Sequence, residues 1–122
     1  MKQHILVIDD EGSIRELLGT FFQARGYRVS SASTAAEALR VVEDTLPDVV
    51  LLDLLLPDAD GLELLENFKQ THPDLPVIIM TGMGSDESLL KEARTKGAAG
   101  YVSKTDPLDK LLREVELQFP SM

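Results

Sequence analysis

The 122-residue sequence contains no cysteine and no tryptophan, and only 5% of it is aromatic. Without cysteine there is no disulfide framework, no thiolate metal site and no cysteine nucleophile, which fits a reducing compartment. Basic residues are also scarce, 12 Lys and Arg against 21 Asp and Glu, for a formal charge of −9. Such a chain repels phosphate backbones and anionic lipid heads, so neither direct nucleic-acid binding nor a membrane role is expected. No apolar run approaches the length of a bilayer crossing, and Met1-Lys2-Gln3-His4 leads straight into a strand-like stretch with no signal-peptide h-region. A cytoplasmic location is the expectation.

What is present is a regular alternation. Short runs rich in Val, Ile and Leu alternate five times with longer helix-like stretches, the pattern of βα units around a buried parallel sheet. Ile5–Ile8, Val49–Leu52 and Val77–Met80 are continuous apolar runs, as strands covered on both faces should be. Tyr27–Ala32 and Gly100–Val102 are weaker and suit edge or short strands. Ile14, Leu17, Leu18, Phe21 and Phe22 fall on one helical face, and Gly26 follows at the position that ends such a helix. Ser33 or Thr34 can cap a second helix carrying Ala35, Ala38, Leu39 and Val42. A third follows Gly61, with Leu62, Leu65 and Phe68 inward; a fourth begins near Ser85. Pro107 sits in the first turn of a fifth, which carries Leu108, Leu111, Leu112 and Val115.

In an open parallel α/β sheet, ligands bind beyond the carboxyl ends of the strands. The first strand ends in Asp9-Asp10, the third in Asp53, the fourth in Thr81, and Lys104 follows the fifth. Carboxylates gathered in one crevice repel unless a cation sits among them, and a hard divalent ion such as Mg²⁺, shared between carboxylates and a phosphate, resolves this. Lys104 would supply a point charge for a phosphoryl oxygen and Thr81 a hydroxyl donor, while a carboxylate attacking phosphorus gives an aspartyl phosphate. Asp53 is the candidate nucleophile. Singly, each residue has an ordinary explanation: Asp10 as a helix cap, Thr81 as a loop residue, Lys104 as a surface charge. Five suitable side chains at four strand ends carry the functional reading.

Competing sites fail on specifics. A phosphate loop wants Gly-rich or hydroxyl-rich backbone donors, whereas this turn reads Asp9-Asp10-Glu11-Gly12-Ser13. Asp58-Ala59-Asp60-Gly61 has part of a calcium-loop pattern, but Leu56 and Asn67 stand where its first and last ligands belong. His4 and His72 read as ordinary surface histidines.

The sequence resembles the receiver domains of two-component response regulators, from Ile5 to about Phe119. The resemblance rests on Asp9-Asp10, on the run from Asp53 through Leu54-Leu55-Leu56-Pro57-Asp58-Ala59-Asp60 to Gly61, on Thr81-Gly82, and on Tyr101 three residues before Lys104. It implies a flavodoxin-like α/β fold, a five-stranded parallel sheet of order 2-1-3-4-5 with five helices on both faces. It further implies that a sensor histidine kinase or histidine phosphotransfer protein passes a phosphoryl group to Asp53. Mg²⁺, or Mn²⁺ as a substitute, would be held by Asp10, Asp53 and the Leu55 backbone carbonyl, with Asp9 acting through water. Thr81 and Tyr101 would then switch the face of the fourth helix, fifth strand and fifth helix toward a downstream protein target. On this reading the chain is a signalling phosphoacceptor rather than an enzyme, and a phosphorylation-dependent homodimer is left open. Ile14 reads as a core residue, with kinase docking the alternative.

Three features depart from the family pattern or qualify it. Thr105 follows Lys104 where the family usually has proline, and a non-proline cis bond costs about 2.5–4 kcal/mol, so a trans bond is expected. Leu55 and Met83 are apolar where some relatives orient a hydrolytic water, which predicts slow loss of the phosphoryl group. Gly82 keeps the pocket mouth open. Residues 1–122 are expected to form a single receiver domain with no room for an output domain. The alternative is a receiver excised from a longer regulator whose DNA-binding or enzymatic output domain is missing. An acylphosphate-forming hydrolase acting on free substrates is disfavoured by Leu55, where a second acid belongs, and a phosphorylation-independent scaffold by the retained acids.

Overall fold

A computed structural model of the chain describes residues 2–82 and 87–119; the expected start of the fourth helix at Ser85, and Met83, lie outside them. Ten elements alternate along the chain: β1 (His4–Ile8), α1 (Gly12–Gln23), β2 (Arg28–Ala32), α2 (Ala35–Asp44), β3 (Val49–Asp53), α3 (Gly61–Thr71), β4 (Val77–Thr81), α4 (Glu87–Thr95), β5 (Gly100–Ser103) and α5 (Leu108–Glu116). The strands form one parallel sheet in the order β2-β1-β3-β4-β5. The continuous apolar runs are the central strands, buried along their whole length, and the two weaker runs are the edges.

Two cores flank the sheet because side chains alternate between its faces. Leu6, Ile8, Val50, Leu52, Val77 and Ile79 meet α2, α3 and Ala93 of α4 on one side. Ile5, Val7, Val49, Leu51, Ile78 and Met80 meet Leu18 and Phe22 of α1 and Leu111 and Val115 of α5 on the other. The exposed members of the predicted helix faces are Leu17 and Leu39, at 49% and 40%, which flank stripes centred on Leu18 and Phe22 in α1 and on Ala35, Ala38 and Val42 in α2.

The ends of α1 and α2 at Gly26 and Thr34 follow the sequence signals, while the starts of α1 and α5 depart from them. Gly26, at φ +90°, closes α1: the Tyr27 N–H donates to the Phe22 carbonyl and the Gly26 N–H to the Gln23 carbonyl. That is the Schellman arrangement, in which a left-handed residue costs glycine little. Thr34, not Ser33, caps α2 by accepting from the Glu37 N–H at 3.1 Å. Pro107 stands one residue before α5 rather than within its first turn. Asp10 does not cap α1; Glu11 precedes the helix, and no side chain caps it.

His4 corrects the expectation of a surface histidine. Its strand lies between β2 and β3, so even its first residue is covered, leaving His4 4% exposed. Its Nε2 pairs with Ser30 Oγ at 2.7 Å and its N–H donates to Asp48 Oδ2 at 2.7 Å. Peptide bonds of the described residues are all trans, including Lys104–Thr105. No described helix is long and apolar enough to cross a membrane.

Candidate functional site

The strand registers bring the chemistry-bearing residues to one edge of the sheet. Ile8 pairs with Leu52, Asp53 with Met80, and Thr81 with Ser103, so Asp9, Asp53, Thr81 and Lys104 lie at neighbouring strand ends. The turn after β1 is tied down at Asp9: its N–H donates to the Ala32 carbonyl, its carbonyl accepts from Arg15 Nη1 at 2.7 Å, and its Oδ1 accepts from the Glu11 N–H at 2.9 Å. Asp53 is held likewise, with Oδ1 accepting from the Leu55 N–H at 3.1 Å. Lys104 is fixed by its own N–H, which donates to the Thr81 carbonyl at 2.8 Å.

Lys104 is the centre of the site. Its Nζ lies 2.8 Å from Asp9 Oδ2, 2.9 Å from Glu11 Oε1 and 3.0 Å from Asp53 Oδ2. The side chains of Asp9 and Asp53 are 0% and 4% exposed, that of Glu11 55%. Burial is the largest influence on Asp9 and pushes its carboxyl up, against the pull of the Lys104 ammonium and the Glu11 N–H. Burial alone would lower Lys104, but its close contacts with the Asp9, Glu11 and Asp53 carboxylates outweigh that and hold the ammonium well above the usual lysine range. Lys104 is therefore charged at every physiological pH.

The donor set fits a hard divalent ion. Among the described residues, Asp9, Asp10, Glu11 and Asp53 each offer a carboxylate oxygen, all within 4.8 Å of one another. Four carboxylates against the Lys104 ammonium leave negative charge uncompensated, and all-oxygen ligation suits Mg²⁺ or Mn²⁺. Buried Asp9 Oδ2 has its ion pair with Lys104 but no hydrogen bond of its own.

The family model of the response regulator receiver domain matches residues 5–116. This chain belongs to that family. The receiver is 34% identical to sporulation initiation phosphotransferase F of Bacillus subtilis, over 98% of this chain and 96% of that protein. It is 38% identical to the DNA-binding transcriptional regulator NtrC of Escherichia coli, but spans only 24% of that protein's length. Among solved structures, a CheY-like receiver domain protein from Methanospirillum hungatei superposes with a TM-score of 0.90 at 30% identity, covering 97% of this chain and 94% of that one. The receiver domain of NtrX from Brucella abortus gives 0.88 at 34% identity, covering 97% and 99%. Receiver domains generally bind Mg²⁺ at an acidic pocket, and this receiver has a cluster of the right composition.

Of the residues singled out from sequence, Asp9, Asp10 and Asp53 fall in the carboxylate cluster and Lys104 joins it. Thr81 is buried beside it at the end of β4. Tyr101 is half-buried in β5, paired in register with Ile79 and packed on the side of the sheet covered by α2, α3 and α4. Leu55 contributes its backbone N–H to the site, and the residue is 59% exposed. Glu11 went unrecognised from sequence. Its signal is a third consecutive acid after β1, directly following the Asp9-Asp10 pair.

Proposed function

We propose that this receiver accepts a phosphoryl group at Asp53 from a phosphohistidine of a sensor histidine kinase or histidine phosphotransfer protein. An Asp53 carboxylate oxygen forms the new O–P bond as the P–N bond breaks, and the electron pair of that bond leaves with the imidazole. Bound Mg²⁺ or Mn²⁺, with Asp10, Asp53 and the Leu55 carbonyl as ligands and Asp9 acting through water, supplies charge neutralisation at the phosphoryl oxygens. Lys104 donates to one phosphoryl oxygen, and Thr81 offers its hydroxyl to another. To reach the phosphoryl group, Lys104 trades away a carboxylate; exposed Glu11 is the partner whose release costs least. Thr81 and Tyr101 then reset the face made by α4, β5 and α5, which acts on a downstream protein or forms a homodimer. The chain is a phosphoacceptor that turns over no free substrate, working in the cytoplasm.

The observation that supports this reading is the buried Asp53 carboxylate, ion-paired to Lys104 inside a four-carboxylate cluster. A second reading, a receiver serving a longer regulator, draws on the NtrC match, where the chain covers about a quarter of the relative. The test is incubation with acetyl phosphate and Mg²⁺ followed by intact mass. A gain of one phosphoryl group in the parent and none in Asp53→Asn is expected; no gain, or equal gain in both, rejects the proposal. Decay of the same species also tests the apolar flank at Leu55: Leu55→Asn should lose the group faster than the parent.

A further inference from the structure

The loop from Leu54 to Asp60 is clasped to a helix distant in sequence. Asp58 Oδ1 accepts from the Ala35 N–H at 2.8 Å, and Oδ2 accepts from the Ala36 N–H at 3.1 Å. These are the first two amides of α2, which have no partner inside the helix. The third, Glu37, donates to Thr34 Oγ1, and Ala38 donates to the Thr34 carbonyl. Asp58 thus completes the N-terminus of α2 from 22 and 23 residues away. A carboxylate also suits the positive end of the helix dipole, and the Ala35 and Ala36 N–H groups hold Asp58 below the usual carboxylate range.

The other end of the loop touches the reacting carboxylate. The Leu55 N–H fixes Asp53 Oδ1, Leu55 is bridged to Asp60, and the Leu54 carbonyl accepts from the Gly61 N–H at 3.1 Å. Between these anchors the loop is held on its outer side by Asp58.

We propose that Asp58 is a positioning residue: by clamping the loop to the start of α2 it fixes the Leu55 backbone, and through it the orientation of the Asp53 carboxylate for metal and phosphoryl group. This rests on the reading of Asp53 as phosphoacceptor with a divalent ion beside it. Outer groups that orient ligands typically change metal affinity by about 10–100-fold when removed. Asp58 acts through one intervening hydrogen bond, so the lower end, roughly tenfold, is expected.

The experiment measures Mn²⁺ affinity directly by electron paramagnetic resonance, the Mg²⁺ dependence of phosphorylation by acetyl phosphate, and amide exchange at Ala35 and Ala36. Asp58→Ala should weaken Mn²⁺ binding and shift the half-saturating Mg²⁺ concentration by about tenfold while the rate at saturating Mg²⁺ is retained. Asp58→Asn, which keeps one acceptor oxygen, should recover part of the shift. In the parent, Mg²⁺ should slow exchange at Ala35 and Ala36, because coupling through the loop is reciprocal. Unchanged metal affinity in both variants, or exchange at Ala35 and Ala36 indifferent to Mg²⁺, overturns the proposal. If the parent neither binds Mn²⁺ nor is phosphorylated, it is the phosphoacceptor reading that fails.

Discussion

Replacing Lys104 with Met tests whether this side chain is the counter-charge that makes the carboxylate cluster tolerable. The stem of Lys104 lines a small apolar hollow with Ile14, Leu17, Met80 and Leu108, so methionine occupies similar space and the main loss is the ammonium. The three contacts are unequal. The Glu11 pair is exposed and contributes about 0–1 kcal/mol. Asp9 and Asp53 are buried, and removing one partner from a buried pair costs about 3–5 kcal/mol because the remaining charge is stranded. The expected loss in metal-free buffer at neutral pH is therefore about 3–5 kcal/mol, a large part of the 5–15 kcal/mol typical of a domain. With a urea slope of about 2 kcal/mol per molar, the midpoint should fall by roughly 2 M.

Two dependences make this Lys104→Met result specific. A divalent ion can stand in for the missing ammonium, so Mg²⁺ should stabilise the variant more than the parent and narrow the gap between them. The second dependence is on pH. The Asp9 carboxyl is already raised by burial, and losing Lys104 raises it further, so the folded variant binds protons more readily than the unfolded chain. That penalty is full at neutral pH and is relieved as pH falls toward the ordinary value of 3.8. The assay is urea unfolding followed by far-UV circular dichroism at pH 7 and pH 4.5, with EDTA or Mg²⁺. A variant within about 0.5 kcal/mol of the parent in EDTA at pH 7 would refute the assignment, since surface substitutions cost no more than that.

Two further expectations follow from burial and close approach. At Gly61, an added Cβ would stand 2.4 Å from Leu54 Cα and 2.7 Å from its carbonyl oxygen, both backbone atoms. Gly61→Ala should lose at least 1–3 kcal/mol, roughly the range for overpacking, while the control Gly19→Ala, with open space around it in α1, should gain about 0.5–1 kcal/mol. His4 is lowered by burial and then by Arg28, so the unfolded chain takes up its proton first and stability is lost as pH falls through 6.5. His4→Gln should flatten the stability profile between pH 7.5 and 5.5, and equal slopes in the two proteins would reject the assignment.

The sheet and most helix ends were legible because their causes are local. Continuous Val, Ile and Leu runs mark strands covered on both faces, and Gly26 and Thr34 mark helix ends through backbone geometry and a capping hydroxyl. The acid doublet and Asp53 were legible for a similar reason, since polar residues immediately after apolar runs locate strand ends. What escaped was non-local. Nothing near Asp58 in sequence announces that it completes α2, and the calcium-loop likeness of 58–61 dissolves once Asp58 and Asp60 are seen as helix caps for α2 and α3. His4 was misjudged because burial of a strand's first residue depends on which strands flank it, a property of topology rather than of neighbouring residues.

The reach of the Lys104 contacts has a further consequence. Glu11 and Lys104 lie 93 residues apart in sequence, and Asp53 and Lys104 are 51 apart. Three carboxylates meet their ammonium only after four neighbouring strands are in register, from the turn after β1 to the end of β5. A nascent, truncated or partly unfolded chain carries Asp53 without the cation that pairs with it. The assembled cluster is thereby tied to completed folding, and its ion pairs form only once β1, β3, β4 and β5 are all in place.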